Sequence, residues 1–219
     1  MSRRVRPSTV ATRRQTQALA ERVPDVVATL RAAVPAPATP HGAPALVLMM
    51  GFPGVGKSHC ARLLAEHLGA AHVASDHLRG QLFVAASYAP EENAAVFRIV
   101  DGLVERLLGE GHRVIVDATH LRRGARESMA GLARRRGVPL THVLVVADQA
   151  ETLARLAARR RARAADDRSD ADERVYAAMR ERGFEEPEEP YLTIRNGPGL
   201  AQEIERVAGE LGAGWSAAT

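Results

Sequence analysis

The chain is poor in lysine, cysteine and aromatic side chains. Of its 30 Lys+Arg residues only Lys57 is a lysine. The single cysteine, Cys60, excludes an internal disulfide and fits an ordinary buried helix position in a reducing compartment. Phe, Trp and Tyr make up 4% of the chain, so Leu, Val, Ile and Ala must fill the core. The same scarcity argues against a long stacking track for unpaired bases. No apolar run approaches the ~20 residues of a membrane span, and the N-terminus lacks the apolar segment of a secretory signal. No acid precedes Glu21, so the start superficially resembles an organelle transit peptide. A basic arm on a bacterial, cytoplasmic protein is the simpler reading. The 8 histidines show neither a pair four apart on one helix nor a cysteine partner set, which argues against structural zinc.

What is present describes an ordinary globular chain. It has 219 residues, 46% hydrophobic and 26% charged. The net charge of +4 and pI of about 9.9 permit an anionic partner without demanding one. Residues 1–8 read as an arm, and residues 9–33 predict one amphipathic helix with Leu19, Val23, Val26, Val27 and Leu30 roughly on one face. Pro35, Pro37, Pro40 and Pro44 then enforce a non-helical linker. The expected organisation is an appendage over 1–44, one domain over 45–212 and a tail over 213–219. Within the domain, strands at 45–50, 72–75, 113–117, 140–146 and 191–195 alternate with helices. That order implies a parallel sheet with helices on both faces, whose ligands bind beyond the carboxyl ends of the strands.

Gly51, Phe52, Pro53, Gly54, Val55, Gly56, Lys57 and Ser58 satisfy G-x-x-x-x-G-K-[ST] between an apolar strand and an amphipathic helix. Glycines let successive backbone N–H groups converge on phosphate oxygens, and the following helix points its positive end at the same place. This predicts a triphosphate site for ATP or GTP. Lys57 would reach the β- and γ-phosphates, Ser58 would ligate Mg²⁺, and His59 completes the loop. The lone lysine stands where a slim point charge suits better than a guanidinium fork. The apolar run Val114-Ile-Val-Asp117 predicts a second Mg²⁺ ligand, Asp117, at a strand end. His120, close behind it, is a further candidate.

These residues, with Ser75-Asp76-His-Leu-Arg79 and Asp117-Ala-Thr119-His120-Leu, resemble a small P-loop kinase group. That group contains the 5′-polynucleotide kinase domain, with chloramphenicol phosphotransferase and zeta-toxin kinases as more distant relatives. The resemblance spans about residues 45–197. It implies a three-layer α/β/α fold, a five-stranded parallel sheet of order 2-3-1-4-5, an Arg-rich helical lid, and ATP with Mg²⁺. It further implies Asp76 as the base that takes the acceptor proton, Arg79 as an acceptor contact, and Arg159 and Arg155 as stabilisers of the transferring phosphoryl group. The sequence departs from the group at His59, a frequent Thr, at His120, often Asn, and over 85–92, which carry no signature. The acceptor is therefore open between a nucleic-acid 5′-hydroxyl and a small-molecule alcohol. A nucleotide-dependent switch that binds a partner through the N-terminal helix is the alternative. Arg122, Arg123 and Arg134–Arg136 read more naturally as exposed helix charge than as nucleic-acid contacts.

Overall fold

A computed structural model describes residues 16–19, 21–83, 88–162 and 173–217, the last few of them and residues 159–162 by backbone only. Helix α1 spans Val23–Arg31, and five strands follow in alternation with helices: β1 Leu46–Met50, α2 Lys57–Leu68, β2 Ala71–Ala74, α3 Ser75–Leu82, α4 Pro90–Gly109 and β3 Val114–Asp117. Then come α5 Arg123–Arg136, β4 Leu140–Val146, α6 Gln149–Ala162, α7 Glu173–Arg182, β5 Tyr191–Arg195 and α8 Leu200–Ala217. The sheet order is β2-β3-β1-β4-β5 and every pairing is parallel, as the sequence led us to expect.

β1 is buried along its whole length because it is central and covered on both faces. Alternation along the strands divides the core. Leu46, Leu48, Val114 and Val116 face α4 and α5, whereas Val47, Met49 and Ile115 face α2 and α8. The register sets the functional edge level: Met49 and Ala74 both pair with Asp117. The loops leaving β1, β2 and β3 therefore start side by side.

Three expectations about boundaries change. The single helix over 9–33 is interrupted: residues 16–19 are helical, but Arg22 is a turn residue and α1 begins next to Pro24. Proline lacks the N–H that a continuing helix needs there, and it disfavours helical backbone in the residue before it. Residues 1–15 lie outside the described residues. The expected strand over 72–75 ends at Ala74, and Ser75 opens α3. The expected tail over 213–219 is largely helix, since α8 runs through Gly212 and Gly214 to Ala217. Trp215, 3% exposed and beneath the Arg113 guanidinium at 4.7 Å, anchors those turns to the core. Burial of one indole outweighs the roughly 1 kcal/mol that each glycine costs a helix.

The N-terminal helix is docked. Val27 is buried, Val23 and Val27 lie against Gly102 of α4, and Arg31 pairs with Glu110 at 2.6 Å. The apolar face foreseen for it is spent on the core. The linker also covers the sheet edge, where the His72 N–H donates to the Pro35 carbonyl at 3.1 Å. No described helix is long and apolar enough to cross a membrane.

Candidate active site

The phosphate loop leaves the end of β1 and returns into α2. The Gly51 N–H donates to the Thr119 carbonyl at 3.1 Å, which ties the loop to the turn after β3. Gly51 (φ 144°) and Gly54 (φ 81°) occupy backbone conformations that other residues rarely adopt. A Cβ on Gly51 would stand 2.6 Å from the Val145 carbonyl, and one on Gly54 would stand 2.8 Å from Leu156 Cγ. The cradle is thus shaped by backbone, and side chains are excluded from it. The Lys57 ammonium donates across the loop to the Phe52 carbonyl at 2.9 Å. Gly56 precedes α2, whose first residues are Lys57, Ser58 and His59, so the helix N-terminus and the ammonium bring positive charge to one place. His59 is exposed and its ring meets Arg62 at 3.0 Å. These features fit a polyphosphate.

Asp117 ends β3 at 5% exposure. Burial raises its pKa, but the neighbouring His72, the Lys57 charge and a hydrogen bond with Ser58 more than offset this, and the carboxyl is held below the ordinary range. His72 Nε2 stands 3.5 Å from its Oδ2. A buried, ionised carboxylate next to a hydroxyl is the donor set a hard divalent cation takes when phosphates complete its shell. Among the described residues no cluster of three or more His, Cys, Asp or Glu could hold a metal alone. Ser58 and Asp117 thus fit a cation shared with a nucleotide, not a self-contained metal centre.

Asp76 is exposed in the first turn of α3, one residue beyond Ser75, whose hydroxyl donates to the Asp117 carbonyl at 3.2 Å. The fold therefore brings Asp76, Asp117 and the phosphate loop to one edge. Arg79 goes elsewhere. It is 3% exposed, with Nη1 2.5 Å from Glu92 Oε1 and Nη2 2.7 Å from Asn93 Oδ1, and its guanidinium lies 4.4 Å from the Tyr88 ring centroid. Although one turn from Asp76, it points into the protein towards α4.

Helix α6 packs on the loop through Thr152 and Leu156, both beside Gly54. Arg155, on the same stretch, donates to Glu151 at 2.8 Å, while its Nη1 is buried with no acceptor among the described residues. Its charge also reaches Cys60 at the start of α2. Burial, then the Asp117 charge, pushes the Cys60 thiol up to about 11, so it is inert packing. The backbone of Arg159 belongs to α6, but its side chain and residues 163–172, including Arg163, Asp166, Asp167 and Asp170, lie outside the described residues.

Four participants were not foreseen. Asn196 follows β5 and donates to the Val55 carbonyl at 2.7 Å, bracing the loop beside Gly56. Tyr176 of α7 meets Phe52 edge-on, with ring centroids 6.1 Å apart, and Arg180, one turn later, lies 5.3 Å from the same ring. The i, i+4 spacing of an aromatic and an arginine was the one available signal. Arg126, 5% exposed, donates to the carbonyls of His120 and Glu185 at 2.8 and 2.7 Å. His120 is itself buried with φ 41°, and one of its ring nitrogens, Nδ1, bonds the Met49 carbonyl at 2.9 Å. Burial pushes its pKa down to about 4, so the ring is neutral near pH 7 and Nδ1 is the donor.

A cavity of about 830 Å³ lies between α5 and residues 185–189. It includes neither phosphate-loop residues nor Asp76 or Asp117, and of its lining arginines Arg123 pairs locally with Glu188 at 2.7 Å.

With this geometry in place, residues 46–187, well over half of the chain, match the model of the AAA domain family. The chain belongs to that family. No protein of curated function matches it. Solved structures share its fold of P-loop kinase type. Kti12 from Chaetomium thermophilum, in complex with ADP-AlF3, aligns with a TM-score of 0.64 at 20% identity over 78% of this chain and 98% of its own. The APS kinase CysC of Mycobacterium tuberculosis, in complex with AMPPNP and APS, gives 0.58 at 19% identity over 78% and 99%. A sugar kinase from Janibacter sp. HTCC2649 gives 0.55 at 17% identity over 80% and 99%.

Proposed function

We propose that the protein is an ATP-dependent kinase that transfers the γ-phosphoryl group to an alcohol, either a nucleic-acid 5′-hydroxyl or a hydroxyl of a small molecule. The observation that carries this reading is the level register of β1, β3 and β2, which sets the phosphate loop, Asp117 and Asp76 along one edge. A structural neighbour with a sugar substrate class and one complexed with APS agree with an alcohol acceptor.

Asp76 accepts the proton of the acceptor hydroxyl. The acceptor oxygen forms its bond to the γ-phosphorus as the bond to the β,γ-bridging oxygen breaks, and ADP departs. Lys57 and the loop N–H groups hold the phosphates in line and stabilise charge that grows on the bridging oxygen. Arg155, with one buried guanidinium nitrogen that has no acceptor among the described residues, and Arg159 stabilise the equatorial oxygens of the group in flight. Ser58 and Asp117 would hold Mg²⁺, which would neutralise phosphate charge when bound.

The test is Asp76→Asn. Transfer of labelled γ-phosphate should fall by about 10²–10⁴-fold, the usual worth of a general base. ATP affinity, read by calorimetry, should change little. Undiminished transfer would remove Asp76 from the mechanism, and loss of ATP binding would recast it as structural.

A further inference from the structure

The junction between β1 and the phosphate loop is held by a turn that belongs to another strand. Met49 and Gly51 stand on either side of that junction, and adjacent residues after β3 take hold of both. The Gly51 N–H donates to the Thr119 carbonyl at 3.1 Å, and His120 Nδ1 donates to the Met49 carbonyl at 2.9 Å. This double grip depends on the conformation of His120. Its φ of 41° lies in a region that few side chains visit, and such a conformation persists where the surroundings impose it. Its ring is fixed by Met49, and its carbonyl is fixed by Arg126, whose Nη1 donates to it at 2.8 Å.

Arg126 is an unusual choice for a merely stabilising residue. It is 5% exposed, yet its two terminal nitrogens are spent on neutral carbonyls, those of His120 and Glu185, and on no carboxylate among the described residues. Burial lowers its pKa, and the Glu185 and Glu189 charges offset this only in part. A buried charge without a counter-charge adds little to stability compared with an apolar side chain of the same volume. What Arg126 secures is alignment of the turn.

Glu185 fixes the same turn from outside. Its N–H donates to the Leu121 carbonyl at 3.0 Å. Its carboxylate accepts from the Arg123 N–H at 2.8 Å and from Arg122 Nη1 at 2.5 Å. Arg122 Nη2 donates to the Arg182 carbonyl at 2.8 Å, so residues 182–185 are tied to the turn on both sides of Leu121. We propose that Arg126 and Glu185 are positioning residues of the phosphate loop. Arg126 holds His120, and through it Met49, at the entry to the loop, and Glu185 holds both the turn and Arg126 in place. Neither belongs to the loop, and both act through the turn after β3. This inference rests on the nucleotide half of the reading above and is independent of the acceptor.

The test uses the full chain, with ATP affinity read by calorimetry, fold by circular dichroism and transfer by labelled γ-phosphate. Arg126→Met keeps an apolar side chain of similar length and removes both donors. It should raise the Kd for ATP about tenfold and leave the acceptor KM at saturating ATP unmoved. Arg126→Lys, which keeps the charge and a donor, should recover part of that loss. Glu185→Ala removes an exposed side chain, which costs the fold little, and should still weaken ATP binding about threefold. Glu188→Ala is the control: Glu188 is equally exposed and pairs with the Arg123 side chain, and its loss should change ATP affinity by less than about twofold. A folded Arg126→Met protein that melts earlier but binds ATP like the wild type overturns the inference. If Arg126→Met does not fold, Glu185→Ala decides, and an ATP affinity equal to that of Glu188→Ala overturns it. Weakened ATP binding in these variants of a protein that phosphorylates no alcohol upholds the positioning role and overturns the kinase reading. Absence of ATP binding by the wild type overturns both.

Discussion

The two halves of the candidate site are built from different materials. On the phosphate side the working atoms are backbone N–H groups, placed by glycines at a strand end and braced by the Thr119 carbonyl, the Asn196 amide and α6. On the proposed acceptor side the groups are side chains: Asp76, exposed at the start of α3, and one turn on Arg79, held in a buried pair with Glu92. Backbone geometry follows from local sequence, whereas a buried ion pair between α3 and α4 follows from packing. The phosphate side can therefore stay constant while the acceptor side varies.

The sharpest way to break that contrast is Glu92→Ala. Glu92 has no solvent exposure, and its loss leaves the Arg79 charge buried and unpaired. Breaking a buried pair from one side costs about 3–5 kcal/mol. Denaturant unfolding should show a loss of that size, while the folded fraction still binds ATP. A loss below about 1 kcal/mol would mean that the pair is solvated and the two halves are not built differently. On the other side, Lys57→Met should leave the fold intact and reduce kcat by about 10²–10³-fold, the cost of one electrostatic stabiliser. Circular dichroism and steady-state kinetics would separate the two variants.

The seam between the halves predicts a pH effect. His120 sits between the loop and β3, and burial lowers its pKa from 6.5 to about 4. The unfolded chain thus binds a proton between those values that the folded chain does not. The stability this buried neutral ring allows is complete above about pH 6.5 and is lost as pH falls towards 4, by roughly 3 kcal/mol in all. His120→Asn should flatten that part of the stability–pH curve, since asparagine also tolerates positive φ and has no titrating group. An unaltered acid limb in melts from pH 7 to 4 would reject His120 as its source.

The same contrast explains what could be read from the sequence. Phosphate-loop spacing, strand–helix alternation and the apolar run to Asp117 are local signals, and they led to the parallel sheet and to the edge where the loops meet, while the strand order came from the resemblance to small P-loop kinases. The fate of Arg79 was hidden because its partner lies thirteen residues on, in a Glu-Glu pair that reads as the acidic first turn of a helix. Arg126 was hidden in the same way. It belongs to a helix that, with its cap Arg122, carries arginines at six positions up to Arg136 and looks like a solvated face, yet it alone among them is buried, between two carbonyls. Trp215 lay behind two glycines that predict a helix end, and only the core it fills reveals otherwise.

Asn196 gives the smallest and most discriminating test. It follows β5, four strands and 141 residues from the carbonyl it braces, so no local pattern could assign it. Its side-chain amide donates to Val55, and its backbone N–H donates to Val146 at 2.8 Å, which fixes the amide against the loop. Asn196→Ala keeps the backbone bond and removes only the brace. The direct cost should be about 1 kcal/mol, one net hydrogen bond. If the loop is held by its glycines and its bond to Thr119, this variant should weaken ATP binding by no more than about tenfold and leave the acceptor KM unmoved. A loss of acceptor affinity as well would show that the brace reaches across the cleft and that the halves are coupled. Saturation with ATP before the acceptor is titrated separates those outcomes, because a purely phosphate-side defect disappears once the nucleotide is bound.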